Sequence, residues 1–170
     1  MADADFRRRV EMIEAGEADD FQTVNTPLTT DRQLASFSVY LGVMSRENPS
    51  AVEKSLNLPN LDRSTGFFRQ MISVVVSNAA SDGDKEFVET LLKYAPDPAA
   101  AAQDGLRHIF DAIARDSREK YSTDVATVLV RAGANATQAA APMEAQLIAQ
   151  QNTAAASLSK MAQFKKSIGA

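Results

Sequence analysis

The sequence predicts an all-α fold, a short helical-repeat solenoid of stacked helix pairs with an Ala-rich C-terminal helix. Three observations point there. Between Asp104 and Thr137, two segments with apolar faces are joined by a polar turn and closed by Ala132-Gly133-Ala134-Asn135. Neither segment can bury its stripe on the other alone, so the pair calls for neighbours. Apolar residues recur at three- and four-residue spacing along most of the chain, the period of an amphipathic helix. Val52, Val88 and Val125 mark the start of the second helix in successive pairs, 36 and 37 residues apart, and periods of this size signal a repeat array.

In chain order, residues 5–15 place Phe6, Val10 and Ile13 on one face with Met12 beside it, and Gly16 is a suitable helix stop. Thr26 can cap a helix whose first turn holds Pro27, because the missing proline N–H would be unpaired there anyway. Over 31–46, Leu34, Phe37, Leu41 and Met44 form a stripe that Val39, Tyr40 and Val43 widen. Such girth suggests a helix sandwiched between neighbours. Pro49 or Ser50 opens a shorter helix through Leu56, and Leu58 to Asp62 reads as an irregular connection.

Ser64 or Thr65 caps the next helix, the most apolar, with Phe67, Phe68, Met71, Ile72 and Val74-Val75-Val76. The valine run alone suits a buried strand. The helical pattern of its flanks favours helix, since burial overrides weak β propensity. Asp82-Gly83-Asp84 is a turn. Residues 85–95 are amphipathic, with Phe87, Val88, Leu91 and Leu92 inward, and Pro96 and Pro98 end them. In the following pair, the first helix carries Leu106, Ile109, Phe110, Ile113 and Ala114. The second carries Val125, Val128, Leu129 and Val130, with Ser122, Thr123 or Asp124 as cap.

From Gln138 the chain turns Ala-, Gln- and Ser-rich, so the division is a repeat domain over 1–137 and a segment over 138–170. In that segment Met143, Leu147, Ala154, Leu158, Met161 and Ile168 lie near one face, interrupted by Gln151 and Lys165. Two readings stay open, a terminal helix packed on the last unit or a mobile tail that orders on a partner.

Composition excludes several classes of function. A net charge of −4 disfavours a dedicated nucleic-acid binder, which needs clustered cations against phosphates. The basic triplet Arg7-Arg8-Arg9 is surrounded by Asp3, Asp5, Glu11 and Glu14, as on a solvated face. The absence of Cys removes disulfides, thiolate metal sites and Cys nucleophiles. One histidine, His108, removes multi-His metal sites and makes a His-based triad improbable. No apolar run approaches the roughly 20 residues of a membrane span. The N-terminus is too charged for a signal peptide, so cytoplasmic residence is expected, with non-Sec delivery or a viral particle left open.

The chain has no phosphate-cradling or nucleophile-elbow glycine motif, and no cofactor is expected. The Asp pairs at 19/20, 82/84 and 97/104 stand at turns or helix caps, where Asp is favoured for backbone hydrogen bonding. Asp82-Gly83-Asp84 lacks the rest of a calcium loop. His108 has no nominated partner for acid–base work, so the expectation is a protein that is not an enzyme.

Helix exits recur as an apolar pair, a polar residue, Ala and a turn former, at 12–19, 91–98 and 129–135. These resemble the LLLEAGAD ending of the ankyrin-repeat family. Asp104-Gly105 resembles the DG that opens an ankyrin unit, and Thr26-Pro27-Leu28-Thr29 its TPLH start. The resemblance covers about residues 6–137, as half a unit and three degenerate units near 26–61, 62–98 and 103–137. The units are longer than the family's period near 33, and the middle ones lack TPLH. Generic helix pairs of the HEAT or TPR kind account for the same period.

The resemblance implies a protein-interaction module that binds through a concave face and loop tips. Mapped by position, it nominates Asp62, Arg63, Arg69 and Gln70 in the second unit and Asp104, Arg107, Asp111 and Arg115 in the third. His108 would stand where the motif's helix begins and bond a neighbouring loop. If 138–170 leaves the third unit uncapped, its apolar side recruits a partner or a second copy, which predicts a homodimer. The alternative is a structural component of a phage or secretion-type assembly, docking through 138–170.

Overall fold

The computed structural model describes residues 31–47, 49–57, 61–116, 121–149 and 154–169. The helix expected over 5–15, the Gly16 stop and the Thr26-Pro27 start lie outside the described residues. Within them there are eight α-helices and no strand: α1 (Asp31–Glu47), α2 (Pro49–Leu56), α3 (Gly66–Asp82), α4 (Lys85–Tyr94), α5 (Pro98–Arg115), α6 (Thr123–Arg131), α7 (Ala136–Ala149) and α8 (Ala154–Ser167).

Local chemistry accounts for the boundaries. Each of five helices starts at a short polar side chain that accepts a backbone N–H three residues on, which satisfies one of the unpaired donors of a first turn. Thr65 accepts from Phe68 at 3.1 Å, Asp84 from Phe87 at 3.0 Å, Asp97 from Ala100 at 3.0 Å, Ser122 from Val125 at 3.3 Å and Asn135 from Gln138 at 2.9 Å. The valine run lies inside α3 with Val75 and Val76 buried. After α6 the chain turns at Gly133, with φ 110°. A side chain there would be strained, and its Cβ would stand 3.0 Å from the Ala99 Cβ.

One boundary differs from expectation. Pro98 does not merely end the preceding helix; it occupies the first turn of α5, which Asp97 caps. Asp plus Pro at the first helical position is a start signal, and the alanines at 99–102 have the highest helix propensity. Asp104-Gly105 therefore lies inside a helix and opens no unit, and His108 stands mid-helix rather than at its beginning.

The helices pack as consecutive pairs, α1 with α2, α3 with α4, α5 with α6 and α7 with α8. The first members also pack in a row, α1 on α3, α3 on α5 and α5 on α7, with the most extensive contact between α3 and α5. The second members α2, α4 and α6 form a parallel, looser row. Gly105 explains the close approach of α3 and α5: a Cβ there would meet Val76 Cγ1 at 3.1 Å and Leu129 Cδ2 at 3.3 Å. Between the first two helices, the buried Tyr40 hydroxyl meets the Ser55 hydroxyl at 3.0 Å, so neither polar group is buried without a partner.

The last pair breaks the pattern. Helix α8 does not extend the second row. It packs on α5 and α7, where Met161, Phe164 and Ile168 are buried. The Phe164 ring meets Phe110 edge to face, with centroids 5.8 Å apart. Lys165, which interrupts the apolar stripe in sequence, reaches Glu144 of α7 at 2.7 Å with both side chains largely covered.

Candidate functional site

Several apolar residues expected inside are not. On a helix, Phe67 and Val74 are two turns apart and share a face. That face of α3 points away from Phe68, Ile72 and Val75, leaving Phe67 46% and Val74 49% exposed. Val39 of α1 is likewise half exposed. Val74 lies in a groove of about 590 Å³ between α3 and α5.

Helix α3 contributes Gly66, Arg69, Gln70, Ser73, Val74, Ser77 and Asn78 to this groove. Helix α5 contributes Ala100, Asp104 and His108, spaced four apart along one stripe. Gly66 and Ala100 both belong to first turns, so the two helix N-termini open at the same end of the groove. The Ser77 hydroxyl donates to the Ser73 carbonyl at 2.8 Å and is engaged within its own helix. The volume is within the range of ligand pockets, but the groove is an open surface trough between two helices. A smaller cleft of about 100 Å³ lies on the other side, lined by Ser45, Pro49, Val52, Glu86, Phe87 and Thr90.

The structure brings together Arg69, Gln70 and Asp104 of the residues nominated from sequence. Arg107, Asp111 and Arg115 are not in the groove lining. They form ion pairs one turn apart along α5, Arg107 with Asp104 at 3.6 Å and Arg115 with Asp111, and Asp111 and Arg115 continue the stripe of Asp104 and His108 beyond the groove. Exposed pairs of this kind contribute little stability. Asp62 and Arg63 are exposed in the turn before α3, outside the groove.

Asp62 has a structural task. Its carboxylate accepts the Ser64 hydroxyl at 2.6 Å and the Ser64 backbone N–H at 2.9 Å. The hydroxyl first, and the N–H second, hold its pKa below the usual carboxylate value. A lowered pKa adds stability above the usual value, and this is lost as pH falls through the lowered one. In an NMR titration, the Asp62 carboxyl should therefore show a midpoint below that of a free aspartate, with the Ser64 amide signal moving at the same pH. A midpoint at or above the free value refutes this role.

Sequence reasoning missed Val74 and Ala100 as groove residues. The sequence reading places Val74 in the valine run of the most apolar helix and gives Ala100 no role. The Phe67–Val74 spacing was the available signal, since it puts both on one face, about 100° around the helix from Phe68 and Val75. Among the described residues no three His, Asp or Glu side chains are grouped to hold a metal ion, and no helix is long and apolar enough to cross a membrane. The groove offers amide, guanidinium and imidazole groups around the aliphatic side chain of Val74. The chain matches no known family, no curated protein and no solved structure.

Proposed function

We propose that the protein is a non-enzymatic interaction module, an ankyrin-like solenoid of helix pairs that receives a peptide segment of a cytoplasmic protein partner between α3 and α5. The observation that carries this reading is the half-exposed Val74 in a trough rimmed by Arg69, Gln70, Asn78 and His108. An aliphatic side chain held open among polar groups is a suitable anchor, because a few central apolar contacts supply most of the energy of such interfaces. The ankyrin resemblance assigns binding to the first helices, and this groove lies between two of them.

The alternative, a component of a larger assembly docking through 138–170, has less support. The apolar residues Leu147, Met161, Phe164 and Ile168 are buried within this chain. The same burial argues for a monomer, since the homodimer was expected only if 138–170 left the apolar side of the third unit uncapped.

Selection from an unbiased peptide-display library tests the proposal. Enriched peptides should perturb amide signals of 66–78 and 100–108 in the labelled protein and lose binding when Val74→Asp is introduced. Enrichment no better than on an unrelated helical control, or ligands that map elsewhere, would overturn it.

A further inference from the structure

We infer that the groove between α3 and α5 selects an acidic segment, one in which a carboxylate stands beside a bulky aliphatic side chain. The inference rests on the reading of this groove as a peptide site and adds the chemistry of its occupant.

The argument is the balance of unspent hydrogen-bonding groups. Arg69, Gln70, Asn78 and His108 line the groove and have no side-chain partner among the described residues. Each offers a donor, and Arg69 offers a fork of N–H groups that suits a carboxylate bidentately. The groove's carboxylate, Asp104, already faces Arg107 at 3.6 Å. The charge left without a counterion in the lining is therefore that of Arg69.

The N-terminus of α3 adds to it. Helix α3 begins at Gly66 in the groove under a neutral Thr65 cap, and a helix N-terminus carries partial positive charge, whereas the Asp97 carboxylate caps α5 and offsets its own. Arg69 is one turn from the start of α3, so the guanidinium and this helix end act on the same stretch of ligand. The aliphatic requirement comes from Val74 and from Phe67 on the same helix face, both half exposed. The chain's net charge of −4 does not reverse this local preference, because at physiological salt charges beyond about 8 Å are largely screened.

The test uses the full chain and two short synthetic peptides, one of alternating Glu and Leu and its counterpart with Lys in place of Glu. The Glu peptide should shift amide signals of 66–78 and 100–108 and bind about tenfold or more tighter than the Lys peptide, the difference expected of one well-placed charge-assisted contact. Its affinity should fall with added salt. Arg69→Glu should abolish or invert the preference, while Val74→Ser should weaken both peptides. Both positions are exposed, so the melting temperature should stay constant and serve as the folding control. Equal affinities, or preference for the Lys peptide at the same amides, would overturn the acidic occupant and leave the groove as a peptide site. Shifts from neither peptide would overturn the inference as well, with the unbiased library still deciding whether the groove binds peptides at all.

Discussion

Replacing Phe110 by alanine is expected to cost about 3–5 kcal/mol, the usual range for deleting a buried aromatic ring. Phe110 is completely buried on α5 and is the ring against which Phe164 of α8 packs edge to face. The loss combines transfer of the ring from the core, a cavity that helices of fixed length cannot close, and the aromatic pair itself, worth about 0.5–1.5 kcal/mol. For a chain of this size the melting temperature should fall by roughly 6–20 °C. Phe164→Ala should cost less, since Phe164 is 8% exposed where Phe110 is fully buried, and it lies near the end of the last helix. The double variant should cost less than the sum, because the pair term is lost only once. Protease cleavage within 154–169 should also accelerate in Phe110→Ala. Melting that is unchanged, with no gain in cleavage, would mean that α8 does not depend on this contact.

Gly105→Leu is expected to destabilise by about 1–3 kcal/mol or more through overpacking. Even a Cβ at this position would stand 3.1 Å from Val76 and 3.3 Å from Leu129, so a leucine has to push α3 and α6 away from α5. Alanine is the informative control. It gains about 1 kcal/mol of helix propensity over glycine against a displacement of a few tenths of an ångström, so its net effect should be near zero. Gly105 follows Asp104 of the groove, so Gly105→Leu should also weaken any ligand held between α3 and α5. Chemical denaturation followed by peptide titration reads both effects. Wild-type stability in Gly105→Leu would mean that α3 and α5 approach less closely than described.

These two positions show how far sequence reasoning reaches. Phe110 was legible as a core residue because it shares a helical stripe with Leu106, Ile109 and Ile113, all of which are buried. What lay against it was not legible. Its partner is in a segment of low bulk, whose stripe Lys165 interrupts. That interruption is resolved only when Glu144 of the neighbouring helix meets the ammonium group. Gly105 was misread because Asp104-Gly105 resembles the DG that opens an ankyrin unit. Asp97 and Pro98 had already started the helix, and the contact with Val76 and Leu129 uses the missing side chain for packing.

In the candidate site, Arg69, Gln70 and Asp104 were legible by position along the predicted first helices. Val74 was not. Periodicity says which residues share a face, but an apolar residue in the most apolar helix gives no local sign that its face is left uncovered.

The sequence by itself determined that the described chain is helical and where most helices start and stop. Those features depend on groups a few residues apart: a capping oxygen and an N–H three residues on, a proline in a first turn, a stripe repeating every three or four residues. Only the tertiary structure decided that α8 folds back on α5, that a glycine sits where three helices meet, and that Phe67 and Val74 stay outside while their neighbours are buried. Those outcomes depend on which surfaces far apart in the chain fit together at close packing, a property of shape and volume that no local pattern of residue types encodes.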